Sequence, residues 1–151
     1  MRTGVRIGID VGKARVGVAR CDRDGLLATP IETVPRDDAT VARIAQLIAE
    51  LEPIELVIGL PLSLSGSDTP STADARDFAD ALAASGTTPV RLVDERLSTV
   101  TAQRQLRETG KRTRGSRPVI DQVAAVIILQ NALDSERTAG RPPGTVVDPT
   151  P

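Results

Sequence analysis

Acidic residues follow or open three apolar segments of this 151-residue chain, and together they could bind a divalent cation. Asp10 ends the first apolar segment, Asp94 and Glu95 end a later one, and Asp121 opens the last. Grouped carboxylates are the hard oxygen ligands that Mg2+ and Mn2+ prefer. Two such ions can orient a water molecule and stabilise the leaving oxygen of a phosphodiester. The acids therefore predict metal-dependent hydrolysis, provided that the fold brings them together.

Each acid also has a purely structural interpretation. Aspartate is common in turns, so Asp10 alone could shape the turn after its strand. Asp121 suits the first turn of a helix electrostatically. Glu95 could form a surface ion pair with its neighbour Arg96. A shared position at one edge of a sheet is what would distinguish a site from three unrelated acids.

The composition excludes several other kinds of site. Histidine, Trp and Tyr are absent, Cys21 is the only cysteine and Phe78 the only aromatic residue. A Ser-His-Asp triad, histidine-based RNA cleavage and a structural zinc site are therefore excluded. Stacking of single-stranded bases on an aromatic platform is excluded too. A lone cysteine fits a reducing cytosol, and we expect Cys21 near the surface, with any dimer independent of a disulfide.

One segment, residues 104–117, is strongly cationic, although the whole chain carries 19 basic and 20 acidic residues. Glu108 is its only acid, and its basic residues are Arg104, Arg107, Lys111, Arg112, Arg114 and Arg117. Local positive charge on an acidic body favours a polyanionic partner, although a solvated loop would have the same composition. Lys13 and Arg15, which follow Asp10, could contact phosphates as well.

The first elements predicted are three antiparallel strands. Apolar residues alternate over 5–10, 15–21 and about 27–34, and Asp22–Gly25 is a strong hairpin turn. Pro30 lacks the N–H that a central strand would need, so the third strand is expected at a sheet edge.

Helices and strands alternate along the rest of the chain. The predicted helices cover 40–51, 71–85, Ser98 or Thr99 to near Gly110, and 120–136, and the predicted strands cover 56–59 and 90–93. This order predicts one α/β domain over residues 1–137, with a mixed five-stranded sheet in which two parallel crossovers follow the antiparallel meander. Residues 138–151 are rich in proline and are expected to be a disordered tail.

No segment looks able to target or anchor the chain in a membrane. The residues before Asp10 lack the apolar core of a secretory signal. The longest apolar stretch, roughly 123–133, is much shorter than the ~20 residues that cross a bilayer. We therefore expect a cytoplasmic protein without membrane contact.

Four motifs, in order, resemble those of the YqgF/RuvX family. They are Gly8–Ala19, Gly59–Pro61 with Gly66, Asp94–Thr99 and Asp121–Leu129, and together they extend over nearly the whole predicted domain. The resemblance implies a ribonuclease H-like fold and a metal-dependent nuclease linked to maturation of the 5′ end of pre-16S ribosomal RNA. Carried over by motif, the catalytic and metal-binding acids are Asp10, Glu95 and Asp121, with Mg2+ or Mn2+ as cofactor.

Three interpretations of function stay open at this point. The first is cleavage of structured RNA. The second is resolution of a four-way DNA junction, because the family is also similar to resolvases of the RuvC type. The third is a weakly catalytic nucleic-acid-binding assembly factor. The chain is expected to be a monomer or a homodimer, and symmetric junction cleavage would need a dimer.

Overall fold

The structure is a computed structural model that describes residues 1–97 and 117–148, with side chains for 1–96 and 122–148. The described strands are β1 (Arg6–Val11), β2 (Arg15–Cys21), β3 (Ala28–Pro35), β4 (Glu55–Leu60), β5 (Val90–Asp94) and β6 (Thr145–Val146). The described helices are α1 (Thr40–Leu51), α2 (Pro70–Ala84) and α3 (Arg117–Ala139), and a short 3-10 turn, Glu95–Leu97, follows β5. The third helix predicted from the sequence, from Ser98 or Thr99 to near Gly110, lies outside the described residues.

The strands form one mixed sheet in the order β3-β2-β1-β4-β5-β6. The predicted meander is confirmed, because β1 pairs with β2 and β2 with β3, both antiparallel. Pro30 lies in β3 at the outer edge of the sheet, as expected. The two predicted parallel pairings also form, between β1 and β4 and between β4 and β5. The carboxyl ends of these three parallel strands therefore share one edge of the sheet.

The sheet separates two apolar layers. Ile9 and Ile58 point to the layer formed with α1 and α2, which contains Phe78. Val57 points to the opposite layer, where α3 packs with residues such as Leu129. Alternation along a strand produces this division, because successive side chains point to opposite faces.

The helix that follows β4 has a well-defined start. Thr69 precedes α2, and its hydroxyl accepts from the backbone N–H of Thr72 at 3.3 Å. The Thr72 hydroxyl in turn accepts from the backbone N–H of Thr69 at 2.9 Å. This reciprocal pair satisfies two N–H groups that the helix leaves open, and Pro70 occupies the first helical position.

The sheet has six strands rather than the predicted five, because the segment after α3 returns to β5. Val146 lies opposite Arg91 in an antiparallel pairing, and the Val147 N–H donates to the Val90 carbonyl at 2.7 Å. The prediction that everything after residue 137 is a disordered tail is thus wrong for the described residues 138–148. Helix α3 extends to Ala139, and β6 follows it.

A buried ionic cluster joins several elements at the amino ends of the parallel strands. Glu136 of α3 lies 2.7 Å from Arg2 and 3.3 Å from the buried Arg6 of β1. Glu55 of β4 lies 3.0 Å from Arg2 and 2.9 Å from Arg91 of β5. Hydrogen bonds from Arg2 are the main cause that lowers the pKa of Glu136 to about 2. The cluster ties β1, β4, β5 and α3 together.

The structure also bears on the expected position of Cys21 and on membrane-spanning helices. Cys21, expected near the surface, is buried beneath α3, and burial raises the pKa of its thiol. Among the helices of residues 1–97 and 117–148, none is long and apolar enough to cross a membrane.

Candidate active site

Asp10 lies at the carboxyl end of β1, on the face of the sheet that packs against α3. Gly8, two residues earlier, faces the same helix: a methyl group there would come within 2.6 Å of the Cβ of Leu129. Alternation along the strand places Asp10 on this face too. Its side chain is 1% exposed. A buried carboxylate is costly unless a specific partner or ligand compensates it, so the position is unusual for a simple turn residue.

Glu95 reaches the same region from β5. It begins the 3-10 turn and is 3% exposed. A methyl group at Gly59 of β4 would collide with Glu95 Oε1 and would come within 2.6 Å of Ile128 Cδ1. The absence of a side chain at Gly59 therefore creates the space that the Glu95 carboxylate occupies.

Strand register brings this carboxylate towards Asp10. Ile9 of β1 pairs with Ile58 of β4, so the next residues along the two strands, Asp10 and Gly59, stand side by side. Since Glu95 lies against Gly59, its carboxylate lies over the residue beside Asp10. Two of the three predicted site acids thus share one face and one edge of the sheet.

Asp94, the acid next to Glu95, has a different role. Its Oδ2 lies 2.7 Å from Arg96 Nη2, and its Oδ1 accepts from the Arg96 backbone N–H at 2.9 Å. The Arg96 guanidinium holds the pKa of Asp94 below its usual range. The local ion pair that the sequence allowed for Glu95 is formed by Asp94 instead.

Asp121, the third predicted acid, lies in α3 one helical turn before Ala125, whose carbonyl group is next to Gly8. The side chain of Asp121 lies outside the described part of the chain. Among the side chains of residues 1–96 and 122–148, no three acidic or cysteine groups lie together as a metal site would need. The described part of the site is therefore two buried carboxylates, whose oxygen atoms are of the type that a hard divalent cation accepts.

Lys13 lies in the turn between β1 and β2, shortly after Asp10, and Arg15 begins β2. The backbone N–H of Gly12 closes this turn with a 3.0 Å hydrogen bond to the Arg15 carbonyl. Lys13 is exposed and Arg15 is half-buried at the start of β2. Both basic groups therefore border the edge of the sheet at which Asp10 lies.

Most of the predicted cationic segment lies outside the described part of the chain. Arg104, Arg107, Lys111, Arg112 and Arg114 lie outside the described residues, and Arg117 is the first residue of α3.

Arg36 is a residue near the site that sequence reasoning missed. It follows β3, and its Nη1 donates to the carbonyl of Gly12 at 2.8 Å, within the turn that carries Lys13. The guanidinium also lies 5.2 Å from the centroid of the Phe78 ring. Its partners are distant in sequence, so no local pattern could have identified it.

Comparison with known proteins identifies relatives along nearly the whole chain. The family model RuvX, described as Holliday junction resolvase, matches residues 4–135. A protein of Clavibacter michiganensis subsp. michiganensis named "Putative pre-16S rRNA nuclease" is 60% identical over 150 residues, which cover 97% of this chain and 93% of that protein. A protein of Streptomyces coelicolor with the same name is 57% identical over 151 residues, covering 98% and 90%.

A solved structure has the same fold at low sequence identity. RuvC of Thermus thermophilus, in complex with a Holliday junction substrate, aligns with a TM-score of 0.57 and 16% identity. The alignment covers 93% of this chain and 99% of RuvC. The predicted ribonuclease H-like fold is thereby confirmed.

Proposed function

Because the chain belongs to the RuvX family, we propose that it is a cytoplasmic, metal-dependent nuclease that hydrolyses phosphodiester bonds of structured RNA in 5′-end maturation of pre-16S ribosomal RNA. The names of relatives that are 57–60% identical support this substrate. The structural observation that supports the proposal is the gap at Gly59: the Glu95 carboxylate lies against this residue, and the strand register sets Gly59 next to Asp10.

Asp10 and Glu95, with Asp121 of α3, are the residues that would hold Mg2+ or Mn2+. Such an ion, when bound, activates a water molecule and stabilises negative charge on phosphate oxygens. Burial of Asp10 and Glu95 fixes their positions and limits access of bulk water, which strengthens their interaction with a cation. The Arg96 guanidinium engages Asp94, so that this third nearby carboxylate is already neutralised.

Basic residues beside the acids would bind the nucleic-acid backbone. Lys13 is exposed in the turn that follows Asp10, so its ammonium group can approach a phosphate next to the site. The cationic segment ends at Arg117, the first residue of α3, and this helix also carries Asp121. Contacts of this kind provide affinity with little sequence preference.

A four-way DNA junction is the second candidate substrate, favoured by the family description and by the fold of RuvC. The same carboxylates would serve, because both substrates contain phosphodiesters. Symmetric cleavage of a junction would require a homodimer that presents two sites, whereas RNA cleavage can proceed in a monomer.

The test is parallel digestion of a pre-rRNA 5′ fragment and a four-way DNA junction by the full chain, with Mg2+ or Mn2+. Asp10→Asn and Glu95→Gln preserve the shape of the side chain while removing its charge. We expect each variant to reduce the cleavage rate on the order of a hundredfold or more. This exceeds the ~10–100-fold loss that follows when a residue that only supports a metal ligand is replaced. Asp94→Asn is the matched control, because Asp94 is adjacent in sequence but bound to Arg96, and it should retain most activity.

The outcomes separate the candidates. Cleavage of the RNA fragment that depends on Asp10 and Glu95 supports the proposal. Cleavage of the junction alone would favour the resolvase. Failure to cleave either substrate at high protein concentration would favour a weakly catalytic assembly factor, and full activity of Asp10→Asn would contradict the carboxylate mechanism.

A further inference from the structure

A cavity of about 130 Å3 adjoins Glu95 between α3, the end of β5 and the segment that leads to β6. This is several times the ~10–15 Å3 that a cavity needs to hold one water molecule. It therefore has room for a single planar ring.

The described walls of this cavity are mostly apolar and carry no positive charge. Val93, Ile128, Ala132 and Pro143 contribute the apolar surface. Among the described residues that line the cavity there is no lysine or arginine, and Asp94 and Glu95 are acidic. A phosphate group would be repelled here, whereas an uncharged ring would replace water at apolar surface.

Two polar side chains of α3, Asn131 and Ser135, also belong to the described lining. The Asn131 amide nitrogen donates to the Ile127 carbonyl at 2.9 Å, which fixes the amide on the helix. Its amide oxygen can accept a hydrogen bond, and the Ser135 hydroxyl can donate or accept one. Amides and hydroxyls of this kind recognise the edges of nucleobases.

Base contacts elsewhere in the molecule are restricted by its composition. Phe78 is the only aromatic residue; it is 6% exposed and lies beneath the Arg36 guanidinium. A base therefore has no aromatic ring on which to stack. Burial in the apolar cavity beside Glu95 is another way for the protein to contact a base.

We propose that this cavity is a subsite for one nucleobase, belonging to a nucleotide next to the bond that is cleaved. The assignment rests on the proposed nuclease function, because it takes Glu95 as a site residue. In this proposal the cavity binds the uncharged base of the substrate, whereas the basic residues bind its phosphate backbone.

The position of one wall depends on Gly144, which adjoins Pro143. Gly144 has φ of +76°, and a methyl group there would collide with the Leu92 carbonyl oxygen. The Pro143 carbonyl is held by Arg91 Nη1 at 3.2 Å. Gly144→Ala should therefore displace this wall. Gly140→Ala is the matched control, because Gly140 has φ of +78° but no atom within 4 Å of an added methyl group.

A second pair of variants adds an apolar side chain to α3, inside the cavity in one case and away from it in the other. Ser135 is exposed on α3 and lines the cavity, so Ser135→Leu places a larger apolar side chain at its mouth. Thr138 is exposed on the same helix but does not line the cavity. Thr138→Leu is therefore the control for added apolar surface on α3.

The experiment is titration of the 15N-labelled full chain with uridine and with adenosine, followed by amide chemical shifts. Ribose alone and Mg2+ alone are separate arms. We expect nucleosides to shift amides of residues 93–95, 131–135 and 143–144 in the parent, Gly140→Ala and Thr138→Leu. Affinity should fall about tenfold or more in Gly144→Ala and Ser135→Leu, as expected when a pocket loses its fit.

Three results would overturn the assignment: no shifts at the cavity with either nucleoside, equal shifts with ribose alone, or shifts of amides 131–135 and 143–144, away from the proposed metal ligand Glu95, with Mg2+ alone. The titration needs no cleavage, so its outcome is independent of the digestion test. Binding of nucleosides by a chain that cleaves neither substrate would reject the nuclease and still support a base-binding cavity.

Discussion

Arg36 and Asp74 form a two-point ion pair: Nη1 donates to Oδ2 at 2.9 Å and Nη2 to Oδ1 at 3.0 Å. The same Nη1 donates to the carbonyl of Gly12, so one guanidinium connects α2 to the turn that follows Asp10. The pair holds the pKa of Asp74 below its usual range, chiefly through Arg36 and to a smaller extent through Lys13. Arg36 therefore acts as a brace for the turn that carries Lys13.

Replacement of this brace should weaken both stability and substrate binding. Arg36→Lys keeps the charge but loses the planar pair of donors, and we expect a loss of about 1–2 kcal/mol in unfolding free energy. It should also raise KM, because the Lys13 turn becomes less ordered. Urea unfolding and steady-state cleavage would measure the two effects.

Arg43→Lys is the matched control for this prediction. Arg43 pairs with Glu32 through two nitrogen atoms at 2.5 and 2.9 Å, but this pair bridges α1 and β3 at the surface. An exposed pair contributes little, so the loss in unfolding free energy should be much smaller than for Arg36→Lys, with KM unchanged. Equal effects in the two variants would show that Arg36 is no more than another ion pair.

Gly59→Ala tests whether the space beside Asp10 matters. The added methyl group would collide with Glu95 Oε1, so the carboxylate must move. A displacement near 1 Å can cost on the order of a hundredfold in rate. We expect cleavage to fall by that amount while the circular dichroism spectrum stays native.

The corresponding control is Gly86→Ala. A methyl group at Gly86 meets no atom within 4 Å, and the backbone there has no positive φ. This variant should keep full activity and a stability within about 0.5 kcal/mol of the parent. Loss of cleavage in both glycine variants would remove the argument that Gly59 makes room for Glu95.

Local sequence patterns predicted much of this fold, because periodicity of two and continuous apolar runs are properties of short segments. The meander and the parallel pairings followed from them. Strand β6 could not be predicted, because a strand of two residues is too short to show an alternating pattern. Its pairing also depends on the close approach of Gly144 to Leu92 of β5. The choice between Asp94 and Glu95 depends on side-chain directions in the 3-10 turn. The role of Arg36 could not be predicted because its partners, Gly12 and Asp74, are far from it in the sequence.

The ionic cluster around Glu136 predicts a defined dependence of stability on pH. The folded pKa of about 2 lies below the ordinary 4.5, so the carboxylate stabilises the protein above pH 4.5. That contribution is lost as the pH falls from 4.5 towards 2, and it amounts to on the order of 3 kcal/mol. Glu136→Gln leaves Arg6 buried without its carboxylate and should be several kcal/mol less stable at pH 7.

The measurement is the difference in unfolding free energy between the parent and Glu136→Gln at pH 7, 4 and 2.5. This difference should shrink as the pH falls. Glu32→Gln, which removes an exposed partner of Arg43, should show a much smaller difference throughout. A difference independent of pH would mean that Glu136 is not ionised in the folded protein.

The cationic segment remains a prediction of the sequence, and salt dependence can test it. Replacing Arg112, Arg114 and Arg117 by Gln should weaken binding to unrelated nucleic acids alike, each lost phosphate contact removing about one unit from the slope of log affinity against log salt. Arg23→Gln is a control, since Arg23 lies in the hairpin turn at the opposite edge of the sheet from Asp10. An unchanged slope in the triple variant would mean that the segment does not touch the ligand.

Burial of Cys21 predicts that oxidation state does not control assembly. The thiol is 1% exposed and its raised pKa disfavours the reactive thiolate. Native protein should resist alkylation by iodoacetamide, and any dimer should persist in dithiothreitol and in Cys21→Ser. A dimer that dissociates in reductant would contradict this.

The pairing of β6 with β5 also bears on how molecules meet one another in solution. An uncovered β5 would offer a row of open N–H and C=O groups to a neighbouring chain, the usual template for aggregation. The two residues of β6 cover part of that row, and Pro142 and Pro143 lead into it without N–H groups of their own. At the far side of the sheet, Pro30 interrupts β3 in the same way. Each outer strand thus limits sheet extension between molecules, which should help the protein to remain dispersed at high concentration.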